Sequence, residues 1–325
     1  MIWLAWRQFR TPAVAVAAIL VAVAVVYGVT GPGLAHMYDT VIKPCTTNHD
    51  CHSVTSIFLA KDRLLQEISK LLLYFPVLLG MFWGAPLVAR EMETGTFRLS
   101  WTQSVTRRRW FANRAGMVVL ASLVATGLLS LMITWWSSPF DTFDHFAFGT
   151  FDQRDIVSIG YAAFAVTLGV AAGALLRRTI PAMGATLVGF VAVRYFVTDW
   201  IRKRLESPVR ITTKFLATVT NGGRSITRQI GHGLKPGDWV VSNTVVNAGG
   251  HAVPQIGLIS IQHCDRLAVN EAFQKCVDSY HLRSVLAYQP AGRYWLFQWE
   301  EMSIFLALAV ILSAFSYWWI RRRVT

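Results

Sequence analysis

The chain has 325 residues, of which 54% are hydrophobic and only 15% charged, with a mean hydropathy of +0.41 and a formal net charge of +13. So little charge excludes a soluble globular domain and a disordered segment, because such a chain is solvated largely by lipid. The positive excess alone would admit a nucleic-acid partner, but no basic face is interleaved with stacking aromatics, and nucleic acid is set aside.

Residues 1–11 place Ile2, Trp3, Trp6 and Phe9 on one helical face with Arg7 and Gln8 opposite, the pattern of an elbow helix lying in the membrane interface. Residues 12–200 carry the first five of six apolar runs, each close to the roughly 20 residues that cross a hydrocarbon core of about 30 Å. The six are Pro12 to Val29, Leu71 to Ala89, Ala115 to Trp136, Ile156 to Leu176, Ile180 to Thr198 and, after a long interval, Met302 to Ile320. The loop after span 1 holds Cys45, His49, Cys51 and His52, which suit a local disulfide or a metal site; two local disulfides, Cys45 with Cys51 and Cys264 with Cys276, are the simplest pairing among three connectivities. Span 2 contains Pro76 and Pro86, which remove backbone donors and predict a bent helix. Gly80 with Gly84, and Ala165 with Gly169 and Gly173, repeat small residues at the four-residue spacing that lets helices approach closely, either within one bundle or at a dimer seam.

Between spans 2 and 3 lies a polar interruption, residues 90–114, with Arg90-Glu91-Met92-Glu93-Thr94-Gly95-Thr96-Phe97-Arg98 at its start and Arg107-Arg108-Arg109 further on. Gly95 permits a turn that a larger residue resists, and Thr96 suits the cap of a following helix. Arg194 is the one formal charge well inside an apolar run, and either a functional role or outward snorkelling fits it. Residues 201–301 form a mixed segment. Strands are expected within Val209 to Thr220, Asp238 to Val246 and Gln255 to Gln262, a helix over Asn270 to Leu286, and an aromatic belt at Tyr294, Trp295, Phe297 and Trp299. Residues 302–325 are span 6 and a basic tail.

Lys and Arg around short connections fix the orientation. With the N-terminus inside, the cytoplasmic flanks hold thirteen Arg and the short outer loops five Lys or Arg, so both termini are expected in the cytoplasm and all four cysteines on the oxidising side. Residues 201–301 are then extracellular. The expected architecture is an all-α integral membrane protein of six transmembrane helices, with an interfacial elbow and a small mixed α/β extracellular domain between spans 5 and 6.

No phosphate loop, zinc helix or nucleophile elbow is present, which argues against an enzyme. Six spans, the N-terminal elbow, the large segment between spans 5 and 6 and the Glu91-x-x-x-Gly95-Thr96 element closing span 2 resemble the ABC-2 type transporter permease family over essentially the whole chain. The opening Trp3-Leu4-Ala5-Trp6-Arg7-Gln8, the loop Arg98-Leu99-Ser100-Trp101-Thr102-Gln103 and the ending Gln298-Trp299-Glu300 are especially similar to actinobacterial members. The resemblance implies a multi-pass inner (plasma) membrane subunit that pairs with a second copy, as a homodimer, and with separate ATP-binding subunits; ATP and magnesium sit on the partner and no cofactor on this chain. It also implies coupling to the ATPase through Glu91, Glu93, Gly95, Thr96 and Arg98. Export of a hydrophobic or amphipathic molecule would then run through a cavity near spans 2 and 5, with Tyr74, Phe75, Met81, Phe82, Phe190 and Arg194 as candidate lining. The alternative from another class is a non-transporting membrane receptor or structural protein whose outer domain binds a ligand or partner.

Overall fold

The computed structural model describes residues 2–45, 63–94, 107–140, 151–215, 217–220, 225–228, 234, 237–253, 275–276 and 278–323. Six helices among them are long and apolar enough to cross a membrane: Arg10–Ile42, Leu65–Thr94, Ala112–Phe140, Val157–Leu176, Thr179–Leu205 and Ala291–Arg322, spans 1 to 6. The chain divides into a helical unit, residues 1–141, 147–205 and 295–325, and a second unit, residues 142–146 and 206–294. The N-terminal segment expected as an elbow continues into span 1 as one helix, Ile2–Met37, with Pro12 inside it. Span 6 starts about three turns before the apolar run predicted for it, because Gln298, Glu300 and Glu301 interrupt the hydropathy without interrupting the helix.

Span 4 is the post around which the helical unit is built. Its sequence is rich in Gly and Ala, and it is buried over most of its length, whereas span 1 is largely exposed. In lipid, helices associate through close packing and polar contacts, since tails and side chains are equally apolar. The glycines set that contact. A Cβ on Gly169 would lie 2.3 Å from Gly80 O, one on Gly80 would lie 2.4 Å from Ala165 O, and one on Gly173 would lie 2.5 Å from Ala85 O. The small-residue spacing seen in the sequence therefore belongs to the seam between spans 2 and 4 of one chain, and these residues are not available to a dimer seam. Span 1 packs on span 3 by a stack of Tyr27 on Trp136, centroids 4.9 Å apart, and by Trp136 Nε1 donating to Thr30 Oγ1 at 3.0 Å. Such an aromatic pair contributes roughly 1 kcal/mol beyond its buried area.

Span 2 is segmented, as its prolines require. It runs as α-helix Arg63–Leu71, a 3₁₀ turn Leu72–Tyr74, α-helix Phe75–Leu79, a π turn Gly80–Gly84 and α-helix Ala85–Thr94. Pro76 and Pro86 cannot donate to the carbonyls four residues earlier, and the backbone re-pairs around each gap; Ala85 N–H reaches back five residues to Gly80 O.

Spans 4 and 5 are joined by Arg177 and Arg178 alone. Arg177 takes a left-handed conformation, φ 55°, and its N–H bonds Gly173 O at 3.0 Å, closing span 4. A non-glycine residue holds that conformation at a cost of about 1 kcal/mol. Arg177→Gly is expected to raise the thermal unfolding midpoint of the purified protein slightly, by an amount equivalent to about 1 kcal/mol.

The second unit contains a three-stranded antiparallel sheet in the order β1-β5-β4 and a separate hairpin. The strands are β1 Val209–Lys214, β2 Ala217–Thr220, β3 Ser225–Arg228, β4 Trp239–Val246 and β5 Arg283–Gln289. Val209 pairs with Tyr288 across β1 and β5, Trp239 with Gln289 across β4 and β5, and a bulge interrupts β4 between Val240 and Ser242. The sheet corrects the expectation of a helix through Leu286: residues 283–289 are the central strand. Pairing on both edges overrides the weak local helical preference of that stretch. The strand expected over Gln255 to Gln262 lies outside the described residues, as do His49, Cys51, His52 and Cys264.

Candidate functional site

Two polar constellations interrupt the helical unit. The first closes the ends of spans 2, 3 and 5 beside the 90–114 interruption. Glu91, on the last turn of span 2, forms an ion pair with Arg114 at the start of span 3, both side chains largely buried. Two residues on, Glu93 Oε2 accepts from Thr179 N–H at 3.1 Å and Thr179 Oγ1 at 2.8 Å. Thr179 is the first residue of span 5, so the carboxylate satisfies an orphan donor and sits at the positive end of the helix dipole. A cleft of about 1020 Å³ opens here, lined among others by Pro12, Phe82, Trp83, Leu87, Arg90, Glu91, Glu93, Arg114, Met117 and Met183.

The second constellation is buried. Just before span 4, Phe151, Asp152, Gln153 and Arg154 are all at most 5% exposed. Asp152 receives Arg202 on Oδ1, where the Tyr161 hydroxyl oxygen also lies 3.0 Å away, and its Oδ2 forms an ion pair with Arg194 Nη2, 3.0 Å away. Arg202 also forks onto Glu301 of span 6, Nε to Oε2 at 2.6 Å and Nη2 to Oε1 at 2.8 Å, and Tyr161 donates to Glu301 Oε1 at 2.5 Å. The two guanidiniums lie over aromatic faces, Arg194 4.8 Å from the Tyr161 centroid and Arg202 4.4 Å from that of Phe151. Gln298 completes the frame by accepting from Val157 N–H at 2.9 Å and donating to Phe151 O at 3.2 Å. Two acids and two arginines thus neutralise one another while tying spans 4, 5 and 6 to the segment that leads into span 4. The bidentate geometry matches what a buried ion pair needs to offset its desolvation.

A π turn at Val197–Ile201 makes this possible. In an unbroken α-helix, Arg194 and Arg202 would point about 80° apart. The π turn absorbs one residue, leaving them spaced as two full turns, within about 20° of one face.

Burial alone would raise the Asp152 carboxyl, but the guanidiniums of Arg202 and Arg194 outweigh it and hold the group below the usual carboxylate range. Its folded-state value lies below its unfolded one, so its contribution to stability is complete above pH about 4 and is lost as pH falls through the folded value. The unfolding midpoint of the detergent-solubilised protein is therefore expected to hold from neutral pH to about pH 5 and to fall steeply below about pH 4, with a shallower fall in Asp152→Asn. Circular dichroism against temperature and pH measures this.

Of the residues singled out in the sequence, Gly95, Thr96 and Arg98 lie outside the described residues. Glu91 and Glu93 are engaged by Arg114 and Thr179 within the chain. Phe82 lines the cleft and is 56% exposed. Phe75 and Phe190 are buried packing residues, Phe190 lying 6.0 Å from Phe164 and 6.4 Å from Tyr161; Tyr74 is half exposed and Met81 half-buried. Of these six, Arg194 included, Phe82 is the one that lines the cleft at the ends of spans 2, 3 and 5. Arg194 is 9% exposed and held by Asp152, which rules out the snorkelling reading. Asp152, Arg202 and Glu301 went unnoticed because each falls just outside an apolar run; the available signal was two acids and two arginines at span ends on one side of the membrane.

The helices and the Gly-Ala seam define a six-span membrane protein. The chain belongs to the family described as ABC-2 membrane transporter related, whose model matches residues 17–202, from span 1 through most of span 5. No curated protein and no solved structure matches it.

Proposed function

We propose that this chain is the transmembrane permease subunit of an ATP-driven ABC exporter. Two copies would act with two separate ATP-binding subunits to move a hydrophobic or amphipathic molecule outward. The observation that carries the reading is the family match across spans 1 to 5. The inner-end contacts support it: Glu91 and Glu93 tie the end of span 2 to spans 3 and 5, so a push on the 90–114 segment by a partner ATPase would reach three spans together. In this reading both termini and residues 90–114 are cytoplasmic, residues 201–301 are extracellular, and Cys45 with Cys51 and Cys264 with Cys276 are disulfides. Gly95, Thr96 and Arg98 shape the docking element, and ATP and magnesium reside on the partner.

The test is affinity purification of the tagged chain from its native membrane in mild detergent, followed by reconstitution. Expected is co-purification of an ABC ATPase and ATP-dependent uptake of a lipophilic dye by inside-out vesicles. An intact protein that retains no ATPase, in vesicles showing no ATP-dependent transport, would overturn the reading in favour of a receptor-like protein.

A further inference from the structure

A second, much smaller cavity lies beside the Asp152 network, where Pro76 of span 2, Thr126 and Ser130 of span 3, and Asp152, Gln153 and Ser158 come together. About 10 Å³ of it is open to the centre of a water molecule, enough for one water. Two of its hydroxyls are already engaged, since Ser130 Oγ and Ser158 Oγ both donate to Asp155 O, at 2.7 and 3.3 Å. Three other polar atoms of its lining residues are not. Thr126 Oγ1, Gln153 Nε2 and Asp152 Oδ2 are buried with no hydrogen-bond partner, although Asp152 Oδ2 keeps its ion pair with Arg194. A buried polar atom left without a hydrogen bond is costly, and three on one water-sized cavity are the situation that an internal water relieves.

We propose that this cavity binds one structural water, shared by Gln153, Asp152 and Thr126. Gln153 Nε2 donates to it, it donates to Asp152 Oδ2, and its third bond is with the Thr126 hydroxyl; three is the usual number for an internal water. Such a water is enclosed as the helices pack and stays at one point, so its partners need no face open to solvent. Charge selects water over a cation, because Arg194 and Arg202 already balance Asp152 and Gln153 presents an N–H. Size excludes a larger ligand. The water adds a third tie between span 3 and the residues leading into span 4, besides Ser130 Oγ donating to Asp155 O and Asp155 N–H donating to Thr134 Oγ1. None of this depends on the permease reading.

The experiment uses the full-length protein purified in detergent. A crystal structure fine enough to show ordered solvent is expected to hold one water peak within hydrogen-bond distance of Thr126 Oγ1, Gln153 Nε2 and Asp152 Oδ2. No peak at that place, or an anomalous peak there in crystals grown with rubidium, would overturn the proposal. Stability gives a second reading, through its sign. Thr126→Val keeps the shape and removes the hydroxyl. With the water in place it breaks a hydrogen bond and should lower the unfolding midpoint by about 2 °C, whereas an orphaned hydroxyl would make the same change stabilising. Gln153→Met should also lower the midpoint, and the double variant should lose less than the two singles together, because both act through the same water. A raised midpoint in Thr126→Val, or strictly additive losses, would each overturn the proposal.

Discussion

Replacing Arg202 with methionine is expected to destabilise the protein by about 3–5 kcal/mol, enough to prevent its accumulation as a monodisperse species in detergent. The side chain neutralises Asp152 and Glu301 at once, and its loss leaves the buried Glu301 carboxylate on the Tyr161 hydroxyl without the cation that pairs with it. The cost is mainly that of the charge left behind. The double replacement Arg202→Met and Glu301→Met removes a complete pair, leaves Arg194 on Asp152, and is expected to recover most of the lost stability. Size-exclusion profiles and unfolding midpoints of the single and double variants make the comparison. A double variant no better than Arg202→Met would show that the pair's geometry, rather than its charge balance, holds the spans.

The second large effect is expected at Gly169. Its missing side chain is where the span 2 backbone passes, and the atoms a Cβ would meet, Gly80 O at 2.3 Å and Ala85 N at 2.8 Å, are main-chain atoms that no rotamer change can move. Gly169→Leu should force spans 2 and 4 apart at a cost on the order of 3 kcal/mol or more. Gly184→Ala in span 5 is the matched control, because nothing lies within 4 Å of its Cβ position, and it should be neutral or slightly stabilising. Comparable unfolding midpoints for the two variants would refute the idea that the 2–4 seam sets the bundle.

Much of the scaffold is legible in the residues. The six spans follow from uninterrupted apolar length, and the break in span 2 follows from Pro76 and Pro86. The 2–4 seam is visible as small residues every fourth position, though only the fold tells whether the partner helix is in the same chain. β1 and β4 announce themselves through β-branched runs, whereas β5 does not, since its strand character comes from two neighbours distant in sequence. The polar constellations were the least legible. Arg114 sits beside Ala115 at a span boundary, so its partnership with Glu91 depends on how two helix ends meet. The convergence of Arg194 and Arg202 requires a π turn, which no hydropathy pattern encodes.

The chain order of Asp152, Arg194, Arg202 and Glu301 carries a consequence for biogenesis. During synthesis Asp152 is made first, then Arg194 and Arg202, and Glu301 follows Arg202 only after 99 further residues. Through that interval Asp152 faces the two guanidiniums alone, and Arg202 has yet to meet its bidentate partner. Span 6, coming last, delivers the missing negative charge. This four-residue network is thus completed only with the last helix of the membrane domain, which closes a circuit that the first five leave open.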